Sequence, residues 1–138
     1  MKRITEPDAL QLEFASRFPE LVLASSSPNR KALLEIAGVN VSIFVPGIEE
    51  EMKGNTNEER ILNIAGMKIR SYETSSAFRP EIPAIAADTL VLSDGMLIGK
   101  PADMDDAFRI LKSLSGKEHE VITAAGLYLP GLGTSVFL

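Results

Sequence analysis

One stretch near the start of the chain, Leu21-Val22-Leu23-Ala24-Ser25-Ser26-Ser27-Pro28-Asn29-Arg30-Lys31, limits most of what can be built around it. Four apolar residues suit a short buried strand. Three hydroxyls end it, and a proline then opens an amphipathic pattern. Ser27 suits an N-cap and Pro28 the first helical position, where its missing N–H costs nothing. Leu33, Leu34 and Ala37 are predicted to form the buried stripe, and Gly38 suits the left-handed stop. A strand that feeds a helix this directly begins an α/β unit.

The rest of the chain continues the alternation. Val39–Val45 reads as a strand ended by Pro46-Gly47, and Glu49-Glu50-Glu51 as a loop running on to Gly54 and Asn55. Thr56 with Glu59 three residues on is a capping-box pattern, predicting a helix to about Tyr72. A polar connection comes next. Ala84–Leu92 is almost continuously apolar, as in a strand covered on both faces. Asp94-Gly95 predicts a hairpin turn into Met96–Ile98. Asp103 caps a third helix with Ala107, Ile110, Leu111 and Leu114 on one face, and Gly116 ends it. Glu118–Leu129 reads as a last long strand, succeeded by an apolar, uncapped tail. Ahead of all this, about residues 6–18 form a weakly amphipathic helix, with Leu10, Leu12, Phe14, Ala15 and Phe18, stopped by Pro19. The expected organisation is an N-terminal helical extension over 1–20 and an α/β domain over 21–138, its mixed central sheet flanked by helices.

Composition removes several function classes. The chain has 138 residues, the length of one domain, and a net charge of −5, which argues against a surface that coats nucleic acid. It contains no cysteine and one histidine, which excludes a disulfide framework, a thiolate zinc site and a multi-histidine metal site. Any metal must rest on carboxylates and substrate oxygens, which suits Mg²⁺ or Mn²⁺. Lys2 and Arg3 are succeeded by Glu6 and Asp8 rather than by an apolar run, so no secretory signal and no membrane span is expected, and a cytoplasmic location is the default.

Helix N-termini attract anions, because their first N–H groups lack partners and the dipole is positive there. Ser25, Ser27, Arg30 and Lys31 therefore read either as a phosphate-binding helix start or as a capping serine beside two solvated cations. Asp88 stands inside an apolar strand, where a carboxylate is costly unless paired, metal-bound or neutral. It is either a metal ligand, a base, or an ion-paired residue at a strand end. Glu49, Glu50 and Glu51 suit a solvated loop, and one of them could complete a two-carboxylate metal site with Asp88. Lys100, between Gly99 and Pro101, either reaches a phosphate or is an exposed turn residue. Lys68 lies among apolar neighbours and either snorkels or enters a site. His119 reads as structural.

Taken in order, LVLASSSPNRKALL (21–34), VPGIEE (45–50), AGMK (65–68), ADTLV (87–91), GKPAD (99–103) and LSGKEHEVIT (114–123) resemble the Maf (septum-formation-inhibitor) family of nucleoside triphosphate pyrophosphatases. The resemblance implies a fold like that of the inosine triphosphate pyrophosphatases. It also implies hydrolysis of nucleoside triphosphates to the monophosphate and pyrophosphate with Mg²⁺ or Mn²⁺. It places Ser25 and Arg30 on phosphate-binding positions, Glu50 on the acidic metal-binding position, Lys68 and Lys100 on two pocket lysines, and Asp88 on the proton acceptor, with Ser27 beside them as a further substrate-binding candidate. Thr89 matches the form found in members acting on dTTP and UTP. House-cleaning of non-standard nucleotides, a role in division arrest and a homodimer belong to the same implication, with neither nucleic acid nor membrane as partner. Asn29 stands where this subgroup usually carries arginine, at a position that helps set base preference. Members also continue past the position of Leu138, so the fold is expected to be incomplete at the C-terminus. An inactive nucleotide-binding or division-regulating protein is the alternative reading.

Overall fold

The computed structural model describes residues 9–138. Its elements run along the chain as α1 (Ala9–Arg17), β1 (Glu20–Ala24), α2 (Pro28–Ile36), β2 (Asn40–Phe44), α3 (Asn57–Glu73), β3 (Ala84–Ser93), β4 (Met96–Ile98), α4 (Met104–Leu114), β5 (Glu120–Leu129) and β6 (Gly133–Phe137). The part of the expected N-terminal helix before Ala9 lies outside the described residues.

Local chemistry sets the helix starts. The Ser27 hydroxyl accepts the Arg30 N–H at 3.4 Å, and Thr56 accepts the Glu59 N–H at 3.1 Å. The Glu59 carboxylate reaches back to the Asn55 N–H at 2.7 Å, one residue before the cap itself. The Asp103 carboxylate accepts the Asp106 N–H at 2.8 Å. Each bond satisfies a donor that would otherwise be orphaned in the first turn. The turn into β4 carries positive φ at both Asp94 (50°) and Gly95 (74°), the twist that a two-residue hairpin between right-handed strands requires.

The strands form one mixed sheet in the order β2-β1-β3-β5-β6, with β4 paired to β3 off that path. β1 runs parallel to β2 and β3, while β3, β5 and β6 alternate in direction, and β4 is antiparallel to β3. β3 pairs with β5 along nearly its whole length, from Ala84↔Tyr128 to Leu92↔Glu120. Its other flank is shared. β1 takes only Ala84 and Ile85, and β4 takes only Val91 to Ser93. Between those contacts the sheet forks, and Asp88 lies midway along the fork.

Helix α3 covers one face. Ile61, Ile64, Ala65, Ile69 and Tyr72 are buried against Ala84, Ala86 and Leu90 of β3 and Ala124 and Tyr128 of β5. Gly126 permits the approach: a Cβ there would meet Ile69 Cγ2 at 2.8 Å and the Ala65 carbonyl at 3.1 Å. On the other face Leu21, Ala37 and Val39 pack with Ala15, Leu34, Val41 and Ile85. The rings of Phe44, Tyr72, Phe78 and Tyr128 form a chain with centroids 5.1–5.4 Å apart that closes the end of the core.

Three expectations need correction. Leu33 is 51% exposed, because consecutive helical residues lie about 100° apart and α2 turns Leu34 and Ala37 inward instead. Helix α4 buries no residue: Leu111 is exposed and Ala107, Ile110 and Leu114 are only half-buried, since no described element lies across its apolar stripe. The tail is a strand, β6, which returns along β5 from Leu129↔Gly133 to Ala125↔Phe137. The 17-residue α3 is the longest described helix, and no described helix is long and apolar enough to cross a membrane.

Candidate active site

The parallel strands β1 and β2 end on the same side of the sheet, and the segment after each of them turns toward the fork. After β1 come Ser25, Ser26 and Ser27, then α2 carrying Arg30. After β2 come Val45, Pro46 and Ile48, then Glu50. Lys68 reaches in from α3, Asp88 and Thr89 from β3, and Lys100 from the turn after β4. These residues and Pro28 line one cavity of about 400 Å³. That volume falls within the range of small-ligand sites, and ligands of α/β sheets gather outside the carboxyl ends of strands. Eight of the residues singled out from the sequence, Ser25, Ser27, Arg30, Glu50, Lys68, Asp88, Thr89 and Lys100, meet here although 75 positions separate the first from the last.

The charges are ordered by direct contacts. Lys68 Nζ lies 2.7 Å from Asp88 Oδ1 and 2.9 Å from Glu50 Oε1. Only 12% of the Lys68 side chain and 9% of the Asp88 side chain are exposed, so the lysine does not snorkel to solvent but neutralises two acids. Asp88 faces α3 in the same register as Ala86 and Leu90, which is why α3 supplies its partner. The second carboxylate oxygen, Oδ2, is buried without a hydrogen-bond partner among the described residues. A buried polar atom normally has one, so this oxygen is an acceptor with its site open.

Arg30 bridges the fork. Its Nη1 donates to Ser25 Oγ at 3.2 Å and its Nη2 to Thr89 Oγ1 at 3.0 Å. Ser25 Oγ also accepts the Ser27 N–H at 3.1 Å. The guanidinium is thus held between the end of β1 and the middle of β3, with further N–H donors left over. Ser27 caps α2 and lines the cavity as well. Lys31 points away and pairs with Glu35 at 3.6 Å. Lys100 forms no ion pair among the described residues. Three cations thus face two carboxylates around the cavity, a balance that favours an anionic ligand.

Two carboxylates of the cavity could hold a divalent cation. Asp88 Oδ2 is an unsatisfied carboxylate oxygen, and Glu50, whose side chain is 47% exposed, stands on the other side of Lys68. No cluster of three His, Cys, Asp or Glu suited to a metal occurs among the described residues, so ligand oxygens would have to complete the coordination. Mg²⁺ is bound in this manner, by one or two carboxylates plus substrate phosphates. The remaining sequence candidates fall elsewhere. Glu51 pairs with Lys53 in the loop, and Glu49 is absent from the cavity wall. His119 is exposed, in a shallow surface groove with Asp94, Lys117, Glu118 and Glu120. Asn29 is exposed and does not line the cavity.

Sequence reasoning missed Ser26, Val45, Pro46 and Ile48 as wall residues. Their signal was positional, since each lies just past a parallel strand. It also missed Thr123, whose hydroxyl lies 2.9 Å from that of Thr89.

The family model described as Maf-like protein matches residues 20–135. Among curated proteins, a dTTP/UTP pyrophosphatase of Bdellovibrio bacteriovorus is 42% identical over 121 residues, covering 86% of this chain and 63% of that protein. One of Fusobacterium nucleatum is also 42% identical, covering 75% of this chain and 53% of its own length. The chain therefore spans between about half and two thirds of these relatives. Among solved structures, the Staphylococcus aureus Ham1 protein aligns with a TM-score of 0.51 at 17% identity, covering 86% of this chain and 67% of that one. That likeness is one of fold.

Proposed function

Since the chain belongs to the family of Maf-like proteins, we propose that it hydrolyses nucleoside triphosphates, dTTP and UTP foremost, to the monophosphate and pyrophosphate. The relatives at 42% identity carry the name dTTP/UTP pyrophosphatase. The observation that carries the reading is the single cavity in which Arg30, Lys68 and Lys100 meet Glu50 and Asp88. Phosphoryl transfer asks a protein mainly to neutralise phosphate charge and to hold the nucleophile in line.

Each residue then has a task its surroundings suit. Arg30, fixed at two of its donors, presents the others to phosphate oxygens. Lys100 adds a further positive charge, and Ser25, Ser27 and Thr89 give polar contacts to the triphosphate. Lys68 orients the Asp88 carboxylate through Oδ1. That leaves Oδ2 to orient the attacking water and take its proton as the water oxygen bonds to the α-phosphorus and the bond to the departing pyrophosphate breaks. In its alternative role Asp88 Oδ2 would instead join Glu50 in holding Mg²⁺ or Mn²⁺, which when bound supplies charge neutralisation on the phosphate oxygens. The cytoplasm, where nucleotides circulate, is the compartment this reading implies. A homodimer is included in the proposal, with gel filtration as its test.

The test is pyrophosphate release from dTTP and UTP with Mn²⁺, run on the wild type and on Asp88→Asn. The wild type is expected to turn over both. The variant should lose at least ~100-fold, within the usual range for a positioned acid–base group, with an unchanged circular dichroism spectrum. Full activity in Asp88→Asn would overturn the assignment of Asp88. A wild type that neither binds nor consumes any triphosphate would overturn the function. Binding without product would favour the other reading, a nucleotide-binding protein without turnover.

A further inference from the structure

The segment 114–123 lies within the span matched by the family model, yet none of its residues lines the cavity. It reaches the site at one point. Thr123 on β5 lies directly opposite Thr89 on β3, and their hydroxyls are 2.9 Å apart. Thr89 Oγ1 in turn accepts from Arg30 Nη2. We propose that Thr123 is a positioning residue for the phosphate-binding cation: its hydroxyl fixes Thr89, and Thr89 fixes the guanidinium of Arg30.

The direction of the hydrogen bonds supports this. A guanidinium can only donate, so the Thr89 oxygen must be the acceptor of that bond. An oxygen accepting from a cation gives up its own proton more readily, and bonds in such a chain strengthen one another. Either hydroxyl can be the donor between the two threonines, and cooperativity with the Arg30 bond favours Thr89 donating to Thr123. Without an acceptor at 123, the Thr89 hydroxyl is free to rotate, and its lone pairs no longer stay aimed at Nη2. The other anchor, Ser25, holds Nη1 alone, so one of the two hydrogen bonds that fix the guanidinium would be weakened. Thr123 is itself exposed on a strand, so replacing its hydroxyl by a methyl keeps its shape and its β preference.

The affinity part rests on the proposed function, and the positioning part does not. Binding of dTTP is measured by calorimetry without divalent metal, and the NMR resonance of the Arg30 guanidinium is tracked in the ligand-free protein. Thr123→Val is expected to weaken dTTP binding about five-fold, the size of one modest hydrogen bond, while Thr123→Ser restores it. In a Thr89→Val background the same change should have no further effect, because the relay is already cut. The Arg30 resonance should shift or broaden in Thr123→Val and return in Thr123→Ser. Thr123→Ala serves in the same way if the valine variant folds poorly. Unchanged binding in Thr123→Val, or an equal loss in the Thr89→Val background, would overturn the relay. If the wild type binds no nucleotide, the proposed function falls and the Arg30 resonance alone decides: a change supports the relay, and none overturns it.

Discussion

The buried charge pair at the floor of the cavity gives the sharpest quantitative prediction. Lys68 Nζ contacts Asp88 Oδ1 at 2.7 Å and Glu50 Oε1 at 2.9 Å, and only Glu50 has substantial access to water. Unit charges about 4 Å apart attract by about 4 kcal/mol at an effective dielectric of ~20. Glu50, half in solvent, adds at most ~1 kcal/mol. Much of this gain is offset by desolvation, so the intact pair has a small net value. Removing Lys68 alone is different. It leaves Asp88 buried and charged with neither oxygen partnered, a situation that costs about 3–5 kcal/mol. The variant Lys68→Met keeps the length and apolar contacts of the side chain while deleting its charge. Combining it with Asp88→Asn deletes both charges, and the cost should fall to about 1–2 kcal/mol. The two substitutions should therefore couple by at least ~2 kcal/mol in a double-mutant cycle. Urea unfolding at neutral pH, monitored by far-UV circular dichroism because the chain has no tryptophan, measures all four corners. Additivity within ~0.5 kcal/mol would mean that the two groups do not share a charge interaction in solution.

Two further predictions test the frame around the site. Gly126→Ala should destabilise the fold by about 1–3 kcal/mol, the usual cost of overpacking, because the new methyl would sit against Ile69 and the Ala65 carbonyl; an unchanged urea midpoint would show that α3 does not approach β5 so closely. The Asp106 carboxyl is held below its ordinary range by the Ala102 N–H and by Arg109. The stability it adds is thus present above about pH 3.9 and lost as pH falls through the folded value. Asp106→Asn should differ from the wild type at neutral pH and converge with it in acid, which thermal melts across pH will show.

Much of this architecture could be read before any coordinates, for local reasons. Ser27, Thr56 and Asp103 begin helices because a short oxygen-bearing side chain satisfies a nearby N–H whatever the tertiary context, and Asp94-Gly95 turns the chain because both residues tolerate positive φ. The site residues stood out one by one, as a carboxylate in an apolar strand or a lysine on an apolar helix face. What the sequence could not express was who meets whom. The pairing of Lys68 with Asp88 depends on how α3 sits on β3, and the close approach of α3 to the sheet is permitted by Gly126 of the neighbouring strand β5. The exposure of Leu33 and Leu111 is likewise a matter of what lies beside a helix, which periodicity does not encode. β6 escaped notice because Gly131 and Gly133 break up the alternation that marks a strand.

The fork in the sheet has a consequence for how the site can change over time. From Ala86 to Leu90, neither β1 nor β4 pairs with the flank of β3 that they otherwise share. In an extended strand, alternate peptide groups point to each side, so some amides and carbonyls in this interval are turned into the gap. They belong to the main chain, and no point substitution short of proline deletes an amide. A molecule held partly by these groups would keep that part of its grip while the surrounding side chains drift, so divergence at this site should alter which compound is preferred sooner than whether one is held at all.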